Sequence, residues 1–177
     1  MGRLQIVEIN GNRIEPGAKL RRVRLVDTDL TGANLMAADL SHSNLEGSNL
    51  SDVDLSNADL AFAVLDSANM TNTNLSCADL HLANLQNTNL SNANLSSANL
   101  YESNLQGANL SNANLSNANL SNANLSNANF SRANLQGANL SNSKLWEANF
   151  KGADLTDTDL TGAILTDATM PDGTIHE

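Results

Sequence analysis

Three histidines, His42, His81 and His176, and a single cysteine, Cys77, are the side chains best suited to act as base, nucleophile or soft metal ligand in this sequence. Such chemistry needs several of them converging on one site. Their separations follow no triad or metal-ligand spacing, so the expectation is a non-catalytic protein with no cofactor and no metal. Close carboxylates occur at Asp52 and Asp54 and again at Asp157 and Asp159. A hard cation wants six or more oxygen ligands, and carboxylates on neighbouring outward positions read as solvated. The glycosylation pattern N-x-S recurs at Asn49, Asn74, Asn89 and many later positions. It is a by-product of Ser following Leu in a repeat.

The elements that hold these residues follow from one periodicity. From Leu20 to Met170 every fifth residue is Leu, Phe or Met, 31 consecutive positions of which 27 are Leu. On a helix a spacing of five scatters side chains around the surface, and on a strand it alternates them between faces. The chain must therefore turn between leucines. Two residues before each leucine only Ala, Ser, Thr or Val stands, as expected for a confined inward position. Two residues after it fall seven of the ten glycines and many asparagines, including Asn57, Asn112 and Asn127. These residues tolerate positive φ at the third position of a type II turn. Both prolines, Pro16 and Pro171, take the preceding turn position, which suits their fixed φ.

Four right-angled sides of five residues make a square coil in which residue n+20 lies beside residue n, as in a parallel ladder with ~4.8 Å spacing. The 31 pentads then form nearly eight coils, a rod on the order of 37 Å long. At this point the pentads "ANLSN" and "ANLQG" show that residues 16–170 resemble the pentapeptide-repeat family, with its A(D/N)LXX pattern. The resemblance implies an all-β fold, a right-handed quadrilateral parallel β-helix. Residues 1–15 form an N-terminal leader expected to cover the first coil, as a strand or hairpin around Asn10 and Gly11. Residues 171–177 form a C-terminal end, with Ile175 still in register, that covers the last coil thinly and leaves room for end-to-end pairing of chains.

Net charge and cysteine count narrow the function classes. A charge of −10 opposes direct nucleic-acid binding, which relies on Lys and Arg. One cysteine excludes an intramolecular disulfide and suits a reducing compartment. Nothing reads as a secretory signal or a membrane span, so a soluble cytoplasmic protein is expected. Between Leu80 and Trp146 the only Asp, Glu, Lys or Arg residues are Glu102, Arg132 and Lys144.

Reading columns at a spacing of 20 brings out the departures from the repeat. Asp39, Asp59 and Asp79 stack one above another, continued by Asn99 and Asn119. At the adjacent corner lie His42, Phe62, His81, Leu82 and Tyr101, with Val64 just beyond. Phe62 and Leu82 are expected to stack and stay exposed, a candidate protein-contact patch unless the leader covers it. A second, weaker patch is Lys144, Trp146 and Ile164. The function expected is a repeat scaffold that binds protein, an unidentified partner or a second copy. The family resemblance also implies an alternative, a DNA-like acidic rod whose partner is DNA gyrase.

Overall fold

The computed structural model describes residues 7–9 and 11–177. Two short strands come first, β1 (Val7–Ile9) and β2 (Asn12–Ile14), paired antiparallel with Ile9 opposite Asn12. Asn10 lies outside the described residues; Gly11 in the turn has φ +76°, a conformation glycine adopts without cost.

Beyond the hairpin the chain winds as a square β-helix. Parallel bridges join each outward residue to the one 20 positions on, from Lys19 with Asp39 through to Asn149 with Thr169. Each pentad contributes the same bonds to the next coil: Leu100 N–H donates to Asn119 C=O at 2.7 Å, Asn119 N–H to Ala98 C=O at 2.9 Å, and Glu102 N–H to Ser121 C=O at 3.1 Å. Within the pentad Ser103 N–H closes the turn on Leu100 C=O at 3.1 Å. All 31 corners from position 17 to position 167 have positive φ, and 24 of them are not glycine.

The leucines fill the interior in four columns. Those from Leu35 to Leu145 are fully buried, as are, within that span, the alanines at the inward position two residues before a leucine from Ala38 onward. Phe130 and Phe150 replace leucine on consecutive coils and stack face to face, centroids 5.0 Å apart and planes 6° apart. Buried hydroxyls at the small inward positions are all bonded. Ser103 and Ser143 donate to the leucine carbonyl of their own turn (2.6 and 2.7 Å), and Thr73 and Thr88 reach a carbonyl of the preceding coil at 2.8 Å. No buried side-chain nitrogen or oxygen is without a partner among the described residues.

The two ends differ. Ile14 is buried and Ile9 packs beside it on the first coil near Leu30 and Ala33, so Leu20, Leu25, Leu30 and Leu35 are buried like central leucines. In the last coils Leu155, Leu160 and Leu165 are only half-buried. The tail corrects one expectation: Ile175 does not continue the parallel register. Met170 N–H donates to Thr174 C=O at 2.7 Å, and Ile175 pairs antiparallel with Thr169. Asp172 and Gly173, the latter at φ +89°, turn the chain back on itself as an Asp-Gly pair can.

Candidate functional site

The outward residue before each leucine sets the chemistry of the four faces. Its side-chain oxygen accepts the N–H two residues on, as Asn109 does from Ser111 at 3.2 Å, an Asx turn that braces the corner. Its amide then reaches toward the preceding coil. Asn69, Asn89, Asn109, Asn129 and Asn149 each donate Nδ2–H to the Oδ1 of the residue 20 positions earlier, at 3.0 to 3.4 Å. Every link points toward the N-terminus, so the first member needs only to accept. Aspartates take that place: Asn49 donates to Asp29, Asn74 to Asp54 and Asn99 to Asp79.

Six carboxylates sit below their ordinary value near 3.8 because local donors favour the charged form. Asp29, Asp39, Asp54, Asp154, Asp159 and Asp172 are all lowered, first by the hydroxyl of the Thr or Ser two residues on and then, in most of them, by its N–H. A folded-state value below the unfolded one gives stability that is complete above about 3.8 and is lost as pH falls through the lower folded values. The urea midpoint is therefore expected to hold as pH falls from 7 to about 5 and to drop only below about 4, as read by circular dichroism. A midpoint that already declines between pH 7 and 5 contradicts this.

The Asp39, Asp59, Asp79 row departs from the ladder. Aspartate cannot donate, so this face forgoes two amide links that Asn would supply. Asp39 takes both N–H and hydroxyl of Ser41 (3.2 and 2.6 Å). Asp79 takes the N–H of His81, contacts its Nδ1 at 2.8 Å and accepts Asn99 at 2.9 Å. Asp59 accepts only Ala61 N–H at 3.0 Å among the described residues. Its remaining acceptor sites face solvent.

At the corner beside this row the structure places His42, Phe62 and Leu82 in one column at positive φ, 58°, 60° and 57°. Outside Gly, which lacks a Cβ, and Asn or Asp, whose short polar side chains bond locally, a residue pays roughly 1–2 kcal/mol in that conformation, which is why Asn and Gly fill so many other corners. Phe62 and Leu82 are also 43% and 41% exposed. Phe62 lies parallel to His42, centroids 4.7 Å and planes 3° apart, and meets His81 edge to face at 5.1 Å. The His81 ring is in turn held by Asp79. Tyr101 extends the patch one coil further. Hydrogen bonding to Glu102 pushes its phenol pKa up. The leader strands pack near Leu30 instead, away from this corner.

The remaining candidates are more scattered. Val64 is half-buried on the next face, bridged to Asn44 and Asn84. Lys144 and Ile164 are bridged neighbours on that same face, four and five coils away, with Trp146 46% exposed at the following corner. The two patches are thus separate. No group of three or more His, Cys, Asp or Glu is arranged to hold a metal ion, and no helix is long and apolar enough to cross a membrane, among the described residues.

Stacked square coils with Asn ladders outside and a leucine column on each inner wall define a right-handed quadrilateral β-helix. Residues 17–52, 54–92, 78–117, 93–132 and 133–170 match the family model described as Pentapeptide repeats (8 copies), and the chain belongs to the pentapeptide-repeat family. It is similar to HetL, a pentapeptide repeat protein involved in heterocyst differentiation regulation from the cyanobacterium Nostoc sp. strain PCC 7120. Identity is 31% over 89% of this chain and 94% of that one, with a TM-score of 0.34. Rfr23 from the cyanobacterium Cyanothece 51142 is 42% identical over 59% of this chain and 58% of its own, TM-score 0.42. A trypsin-treated variant of QnrB1, a plasmid-mediated fluoroquinolone resistance protein, is 20% identical over 84% of this chain and 87% of its own, TM-score 0.50, and shares the fold. No curated protein is significantly similar to this chain.

Proposed function

We propose that the chain is a non-catalytic scaffold that binds protein through the corner formed by His42, Phe62, His81, Leu82 and Tyr101. One observation carries this reading: Phe62 and Leu82 stand exposed, on consecutive coils, at corners where Asn or Gly would relieve both the backbone strain and the exposure of apolar surface. A contiguous apolar patch kept at such cost supports a contact role. The residues that fill it are anchored, since Phe62 is held between two imidazoles. We place the protein in the cytoplasm, where its exposed Cys77 would stay reduced.

The test replaces both residues by the repeat's own corner residue, Phe62→Asn with Leu82→Asn. The thermal midpoint should stay the same or rise, because Asn suits positive φ. Sedimentation at increasing concentration and affinity capture from a lysate should show that self-association, or capture of the partner, is lost in the variant. A well-folded variant that keeps both refutes the proposal. The DNA-like reading has the net charge of −10 in its favour, but the stacked carboxylates give way to Asn99, Asn119 and Asn139 along the middle of the rod. A gyrase supercoiling assay without effect at micromolar protein removes it.

A further inference from the structure

The geometry points to a partner segment of defined chemistry for this corner: an extended peptide, acidic at one end and apolar at the other. The proposal rests on the corner being a contact surface and adds what the surface would recognise. Read along the rod, the corner column runs Arg22, His42, Phe62, Leu82, Glu102. The sequence of characters is cation, imidazole, two apolar residues, carboxylate. Around Arg22 the cations concentrate: Lys19, Arg21 and Arg24 are exposed within the same turn. None of the four makes an ion pair among the described residues. In a chain of net charge −10, four such cations at one pole of an apolar strip, with Glu102 at the other, make a surface with a direction.

The spacing sets the length of the ligand. Successive coils are ~4.8 Å apart, so Arg22 to Leu82 spans on the order of 14 Å. An extended chain at ~3.3 Å per residue covers that in about four residues, five with both ends counted. A segment with paired carboxylates at one end could meet the guanidinium forks of Arg21 and Arg22, and apolar side chains at its other end would then cover Phe62 and Leu82. Polyphosphate is the competing ligand for an arginine corner. Polyphosphate is charged along its whole length, so Asp59, Asp79 and Glu102 beside the apolar part of the strip disfavour it there, whereas the peptide keeps its carboxylates at the arginine pole.

The probe is a blocked peptide, acetyl-Glu-Glu-Ala-Leu-Leu-amide, titrated into the nitrogen-15-labelled chain. Amide signals of Arg22, Phe62 and Leu82 should shift together. Replacing both glutamates of the probe by glutamine should weaken binding about fivefold or more, and so should Arg21→Ser with Arg22→Asn, residues that the repeat itself uses at these positions. Added salt should weaken binding further. Equal affinity for the glutamine peptide overturns the proposal, as does stronger binding of a short oligothymidylate at the same signals, or a probe that shifts none of them. If Phe62→Asn with Leu82→Asn abolishes partner contact while the arginine variants do not, the contact role stands and only the acidic ligand fails. If the Asn double variant keeps every contact, the contact role itself falls.

Discussion

Replacing Leu100 by alanine will lower the unfolding free energy by about 2–5 kcal/mol, and replacing Leu160 by alanine will cost markedly less. Leu100 is fully buried, with Leu80 on one side and Leu120 on the other, and the coils that carry it are tied by backbone bonds of 2.7 to 3.1 Å. The rod cannot close over the missing side chain without breaking those bonds, so the void persists and its walls lose their contacts. Leu160 is half-buried, and removing it takes away less buried surface. Each coil in such an array is stabilised mainly by its neighbours, so position along the rod, and not residue type, sets the loss. Urea unfolding of the intact chain followed by circular dichroism measures both. Equal losses at the two sites would mean that the last coil is as well packed as the fifth.

The fold is legible in the sequence because one geometric rule repeats without interruption. Leucine every five residues, a small residue two before it and a turn-former two after it determine the inward wall, the confined position and the corner. The corners confirm the rule even where composition argues against it: Phe62, Leu82 and Arg132 hold the same positive φ as Asn112 despite the strain, because the neighbouring coils dictate the backbone there. Ile175 shows where the rule misleads. It falls on a position divisible by five, yet the Asp172-Gly173 pair, one residue ahead of it across Thr174, specifies a reversal, and the local turn overrides the period.

The candidate site is legible only as a set of exceptions. Column reading at a spacing of 20 puts His42, Phe62 and Leu82 on one edge and Asp39, Asp59 and Asp79 beside them. It does not say that Phe62 will lie flat on His42 and against the edge of His81. Exposed side chains choose among rotamers by contacts with neighbours, and the backbone period carries no information about that choice. The pairing of His81 with Asp79 has a signal, since Ser, Thr or His two residues after an Asp can add a second bond to the Asx turn. The direction of the amide ladders has one too: Asp29, Asp54 and Asp79 precede runs of Asn in their columns, where an acceptor alone suffices.

The confined inward position supplies the other large effect. Ala118→Leu should destabilise the rod by about 1–3 kcal/mol through overpacking, while Ala118→Ser should stay close to the parent. Ala118 is buried, and its carbonyl is bound to Asn139 N–H at 2.9 Å, so the coils cannot spread to admit a larger side chain. Three added carbons would have to displace the leucine columns on either side. Serine adds one atom, and that atom has a partner within reach: at the equivalent positions Ser103 and Ser143 donate to the leucine carbonyl three residues earlier, which here is Leu115. Threonine should also be accepted by the route that Thr73 and Thr88 use, through a carbonyl of the preceding coil. The comparison therefore separates size from polarity. If the Ser variant loses as much as the Leu variant, hydroxyl burial and not space governs the position, and the Ala, Ser, Thr and Val restriction along the whole chain would need another cause.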